Sequence, residues 1–92
     1  MTELRAEFEV LEVIEIEDLG VVLCRGHARG GTISVGMNTR VLAFSQLYMR
    51  ASISGVKYDG DLTELRFDMP DPDIREQWMA FCRVGDVLPI EM

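Results

Sequence analysis

The stretch GVVLCRGHARGGTISVGM, residues 20–37, concentrates glycine between short apolar runs and raises the question of a phosphate-binding loop. Such a loop takes the form G-x-x-x-x-G-K-[ST], with a lysine that reaches the terminal phosphates. Lys57 is the only lysine in the chain, and no glycine precedes a lysine in that pattern. The G-x-G-x-x-G dinucleotide pattern is absent as well. Gly20, Gly26, Gly31 and Gly36 therefore read as structural turn glycines, at positions needing positive φ or close backbone approach. His27, the single histidine, has no Cys or His at zinc spacing and reads as an exposed residue near a hairpin tip. Ser34, Ser45, Ser52 and Ser54 stand outside any G-x-S-x-G elbow. No catalytic residue is expected.

The carboxylates lead to the same reading. Asp59, Asp61 and Glu64 lack the twelve-residue register of a calcium loop. Asp71 and Asp73 have a sufficient role at the start of a helix. Cys24 and Cys82 form no C-x-x-C and read as two buried thiols rather than a bridge. No cofactor and no metal are expected. Sixteen acidic residues against nine basic ones give a net charge of −7, a field that repels phosphate backbones and makes nucleic acid a poor partner. The segment MTELRAEFEV has neither a basic leader nor a long apolar stretch, and no run of about 18 apolar residues occurs anywhere, so a cytoplasmic location without a membrane span is expected.

Those residues need a scaffold, and the apolar pattern specifies one. With 92 residues, a single domain spanning 1–92 is expected. EFEVLEVIEIE, residues 7–17, reads as a strand in which Phe8, Val10, Ile14 and Ile16 share a parity that Glu12 interrupts, which suggests a bulge. Val21–Cys24 form a second strand, Arg29–Gly31 break it, and Thr32–Val35 resume it with Ile33 and Val35 on one side. TRVLAF, residues 39–44, follows as a strand. In residues 47–54, Leu47, Met49, Ala51 and Ile53 alternate with Tyr48, Arg50, Ser52 and Ser54, a half-buried strand. Asp59-Gly60 marks a hairpin turn, and residues 62–69 return with Leu65 and Phe67 inward. Asp71 caps a short helix, Pro72 opens it, and Ile74, Trp78, Phe81 and Cys82 form its apolar face. Gly85 stops it. DVLPI, residues 86–90, closes the fold, with Pro89 placing that strand's end at an edge. The fold class is all-β: a small closed barrel of six or seven strands with one short helical insert before the last strand.

The residues Val10, Val13, Ile14, Ile16, Gly20, Val21, Val22, Gly26, Gly31, Thr32, Ile33, Val35 and Gly36 carry a resemblance. Their spacing is similar to the opening of the second, β-barrel domain of translational GTPases of the elongation factor Tu class. RVGDVLPI resembles that domain's last strand. The resemblance covers residues 8–43 well, 47–67 loosely and 84–90 again. It departs by one inserted residue between Val22 and Gly26, by His27 where the family commonly has a basic residue, and by a longer, more helical segment over 68–83. It implies a translation-protein-like barrel. The GTPase domain is absent from this chain, so nucleotide hydrolysis does not carry over. In the full-length factors the barrel helps hold aminoacyl-tRNA and touches the ribosome.

Two roles stand open for the aromatic residues. Trp78 and Phe81 plug one end of the barrel, or Trp78, Met79 and Tyr48 belong to an exposed apolar patch that binds a protein partner or a second copy. The function expected is a non-catalytic interaction module for a protein partner or itself. An RNA- or ribosome-associated accessory domain is the alternative, and a small flavin- or nucleotide-binding barrel is a further one.

Overall fold

Period-two alternation dominates the chain, and strands dominate the structure. The computed structural model describes residues 3–44 and 47–92. The strands are β1 Leu4–Ile16, β2 Val21–Arg29, β3 Asn38–Phe44, β4 Leu47–Ser52, β5 Gly55–Asp59, β6 Leu62–Asp68 and β7 Val87–Glu91. One helix, α1 Pro72–Phe81, lies between β6 and β7. The strands form a single sheet in the order β4-β3-β7-β1-β2-β6-β5, and every neighbouring pair is antiparallel.

β1 is the spine and pairs with both β2 and β7. Its alternation breaks at a bulge: Val10 faces Gly26 and Glu12 faces Arg25, leaving Leu11 as the extra residue. An extra residue flips the parity of everything after it. Phe8 and Val10 are buried before the bulge. After it Val13, opposite the buried Cys24, packs on the core. Ile14 and Ile16, expected to share the parity of Phe8 and Val10, thus lie on the opposite face and are half-buried. Glu12 turns outward, where Arg25 ties it to Glu64 through contacts of 3.4 and 2.9 Å.

Several local expectations are corrected. Thr32–Val35 are not a strand; the segment between β2 and β3 is irregular. Ile33 and Val35 do not share a side, since Ile33 is buried and Val35 is 63% exposed. Tyr58 holds this segment through Ile33, its hydroxyl donating to the Ile33 carbonyl at 2.8 Å. His27 lies within β2, half-buried, with Nδ1 3.1 Å from the Asp61 carbonyl. Leu47, expected inward, is 63% exposed. β7 is an interior strand rather than an edge.

The glycines divide by cause. Gly36 has φ +96° with open space around it, a turn conformation costly for side-chain-bearing residues. Gly26 has ordinary φ, but a Cβ there would overlap the Glu9 carbonyl oxygen of the neighbouring strand. Gly20 combines the two, with φ +64° and a Cβ position 3.0 Å from Pro70 Cα, and Gly31 follows the second, against the Arg5 carbonyl.

α1 begins as its sequence dictates. Asp71 accepts a hydrogen bond from the Asp73 N–H at 2.9 Å, and Pro72 follows the cap. The buried face differs from the one expected. Ile74 is 47% exposed, whereas Arg75 and Trp78 are buried. Arg75 earns that place by polar contacts: Nη1 donates to the Met69 carbonyl at 2.7 Å and Nε to Glu15 at 2.8 Å. A buried guanidinium is tolerated only when its donors are so occupied. The helix ends at Phe81, and Gly85, with φ +95°, shapes the following turn instead of stopping the helix.

Candidate functional site

β3 and β7 pair only through Asn38–Glu91 and Thr39–Ile90. Thereafter β7 runs along β1, opposite Phe8 and Glu9, while β3 runs along β4. Pro89 sits where the ladder stops. It has no N–H to extend it, and its carbonyl accepts from the buried Thr39 hydroxyl at 2.8 Å. The strands diverge around a groove of about 660 Å³, inside the roughly 300–1,000 Å³ range of ligand pockets.

β3 contributes Arg40, Val41, Leu42 and Ala43 to the groove, β4 contributes Tyr48, and Asp86–Pro89 form the opposite wall. Phe81 and Arg83 close the end beside α1. Val41 and Leu88 turn their side chains into the core. Leu42, Tyr48 and Val87 remain 56%, 53% and 47% exposed. Tyr48 is the direct cross-strand partner of Leu42, so the two share a face.

The charge around the groove differs from that of the whole chain. Arg5, Arg25, Arg29, Arg40, Arg66 and Arg75 each contact a carboxylate. That accounts for six of the nine basic residues and, among the described residues, leaves Arg50, Lys57 and Arg83 without a carboxylate contact, Arg83 Nε donating instead to the Ala80 carbonyl at 3.3 Å. Arg83 lines the groove, and Arg50 lies opposite Arg40 on β4. Arg40 stacks over the Tyr48 ring at 4.6 Å. Its Nε stands 3.5 Å from Glu91 without a hydrogen bond, a charge contact rather than a fork. Asp86 is occupied by its own turn, where it accepts the Arg83 N–H at 3.0 Å.

Compared with family models, with curated proteins and with solved structures, the chain gives no match. The elongation factor Tu likeness therefore rests on its motif residues alone.

Among the three residues expected at a partner surface, Tyr48 lines the groove. Trp78 does not reach the surface: it is fully buried, with its ring 5.2 Å from that of Phe67. Met79 is half-buried against the core. The patch expected from Trp78, Met79 and Tyr48 together is therefore not assembled. Sequence reasoning missed Leu42, Val87, Arg40 and Arg83. Leu42 carried one usable signal, an apolar residue on the outward parity of β3. The others acquire meaning only through the divergence of two strands remote in sequence.

The cysteines meet inside the fold. Cys24 on β2 and Cys82 at the end of α1 are both buried, with Sγ atoms 3.9 Å apart in a thiol–thiol hydrogen bond and no disulfide between them. The neighbouring Cys24 sulfur, together with burial, pushes the Cys82 thiol well up, and Asp86 adds in the same direction. A thiol held protonated is a poor nucleophile and a poor metal ligand. Among the described residues, no three His, Cys, Asp or Glu side chains are placed to hold a metal ion. Among the described residues, no helix is long and apolar enough to cross a membrane.

Proposed function

We propose that this chain is a non-catalytic interaction module and that the β3–β7 groove receives a protein partner. The observation that carries the reading is the coincidence of three features at one place: two strand edges that separate, exposed Leu42, Tyr48 and Val87, and the guanidinium groups of Arg40 and Arg83 on the lining. Exposed apolar side chains rimmed by polar ones are the usual composition of a binding surface.

The sheet on this reading closes into a translation-factor-like barrel. Its outermost strands, β4 and β5, are consecutive in the chain, and residues 53 and 54 link them. Ile53 N–H donates to the Met37 carbonyl at 2.8 Å, and Ser54 N–H to the Arg66 carbonyl at 2.8 Å. Met49 and Ala51 of β4 and Val56 of β5 pack on the same core. Two free buried thiols support a reducing compartment such as the cytoplasm.

Affinity capture from native lysate tests the proposal, with the wild-type chain beside a Leu42→Glu, Val87→Glu double variant. Both positions are exposed, so the fold tolerates the change. Proteins retained by the wild type at moderate salt and lost by the variant are the expected result. An identical retained set overturns the groove assignment. Retention that disappears on ribonuclease treatment replaces it with the RNA-associated alternative.

A further inference from the structure

Main-chain pairing and charge together define the occupant of the groove more narrowly than its exposed apolar residues do. β3 and β7 part after Thr39 and Ile90. Among the described residues, Arg40–Ala43 of β3 then pair with no strand on the side away from β4, and Val87 and Leu88 of β7 with none on the side away from β1, while α1 packs near β3 without pairing to it. A free strand edge presents N–H and C=O groups in ladder spacing and is a template for another extended segment. Side chains alternate along such a segment, so every second one would meet the exposed face carrying Leu42 and Tyr48. On that face also lie Arg40 and its cross-strand partner Arg50, and Arg83 is at the groove's end.

Among the described residues, Arg50 and Arg83 are two of the three basic side chains without a carboxylate contact. The chain's net charge of −7 opposes an anionic ligand at long range. At contact the local cations decide, because charges farther than the Debye length of about 8 Å are screened at physiological ionic strength.

We infer that the groove binds an extended, acidic peptide segment of a partner protein, which adds as a strand to the free edge of β3 at Arg40–Ala43. Main-chain hydrogen bonds hold the segment. Its apolar residues meet Leu42 and Tyr48, and its carboxylates meet Arg50 and Arg83. This inference rests on the proposed interaction function and specifies the partner of the same groove.

A displayed library of random decapeptides provides the probe, selected on the wild-type chain and counter-selected on the Leu42→Glu, Val87→Glu variant. The expected winners alternate apolar and acidic residues. The best of them is then synthesised with and without N-methylation at alternate residues. Methylation of the set facing β3 should weaken binding at least tenfold, whereas methylation of the other set should not. Arg50→Glu with Arg83→Glu should likewise weaken binding at least tenfold while leaving the unfolding midpoint unchanged.

Winners that are basic, winners indifferent to methylation, or no enrichment over the counter-selected variant each overturn the inference. Sedimentation that shows wild-type dimers and variant monomers also overturns it, by assigning the groove to a second copy. A groove-dependent partner in the lysate combined with a failed library removes only the extended-strand inference. Loss of both removes the interaction reading itself.

Discussion

Trp78 does the most for the core of any single side chain. Among the described residues it is the largest that is fully buried, its ring lies against Phe67, and its Nε1 has no hydrogen-bond partner. Its contribution is therefore packing, reduced by the cost of an orphaned N–H. Trp78→Ala should destabilise the chain by about 3–5 kcal/mol, as for other buried large aromatics. Trp78→Phe should cost much less, about 1–2 kcal/mol, because it keeps a ring and removes the orphan. Equal losses for the two variants in urea unfolding would contradict a packing role. Cys82 makes a second residue-scale prediction. Its thiol is raised above the ordinary value of 9.0 in the native state. Below that value both native and unfolded chains keep the proton, and the contribution to stability is fully present. Above it the unfolded thiol ionises first, so stability falls as pH rises toward the native value. The slope approaches about 1.4 kcal/mol per pH unit for one group. Unfolding free energy measured from pH 8 to 10.5 should fall less steeply in Cys82→Ser than in the wild type.

At the scale of elements, glycines and the bulge decide where strands may run. Gly26 lets β1 and β2 approach, since any Cβ there meets the Glu9 carbonyl and, at 3.1 Å, the Phe8 ring. Relief requires moving a β1 backbone held by ladders on both sides. Gly26→Ala should cost about 3 kcal/mol, the upper part of the range for overpacking. Gly36 is limited only by its φ, so Gly36→Val should cost about 1–3 kcal/mol through backbone strain, and Gly36→Asn less. Thermal unfolding of the three variants checks the order. A Gly26→Ala protein as stable as the wild type would mean that β1 and β2 can separate freely. α1 shows how an element's ends and its face are set by different forces. Asp71 and Pro72 are local signals and place the start. The buried face is rotated toward Arg75 because Glu15 and the Met69 carbonyl, from other parts of the chain, offer that guanidinium its partners.

For the whole molecule, the decisive contacts are the two at the link between β4 and β5, where Ile53 N–H reaches the Met37 carbonyl beside β3 and Ser54 N–H reaches the Arg66 carbonyl of β6. If the Ile53 and Ser54 amides close the sheet as proposed, they should exchange slowly with solvent, near the rate of central β1 and β2 amides, because opening them requires global unfolding. Hydrogen exchange measured by NMR reads this directly. Exchange as fast as that of surface turns would leave an open sheet with two edges. Most of the long-range organisation joins distant segments, β1 with β7 above all, so folding should be slow for a chain of this size, in the millisecond-to-second range. A stopped-flow refolding phase in microseconds would contradict that.

Much of this fold is legible in the sequence because its causes are local. Alternation in residues 62–69 places Leu65 and Phe67 inside, and both are fully buried. Asp59-Gly60 makes a turn, with φ +61° at Gly60, and Asp71 with Pro72 starts the helix. Glu12 even signals the bulge, as a charge on an otherwise apolar parity. Other outcomes depend on who the neighbours are. Val35, Leu47 and Ile74 are apolar at inward-reading positions, yet each lies exposed. Pro89 marks an edge by its own chemistry, but only the pairing of β7 with β1 makes the strand interior and turns the proline into the place where β3 departs. The groove follows from that departure. β3 and β7 lie more than forty residues apart along the chain, and no periodicity within either strand records the distance between them. Sequence by itself determined the strands that alternate most cleanly, the turn at Asp59-Gly60, the start of the helix and the inward set Leu65 and Phe67. Tertiary structure alone decided which strands meet and part, because pairing is a choice among edges that are locally equivalent and is settled by the burial of the whole core.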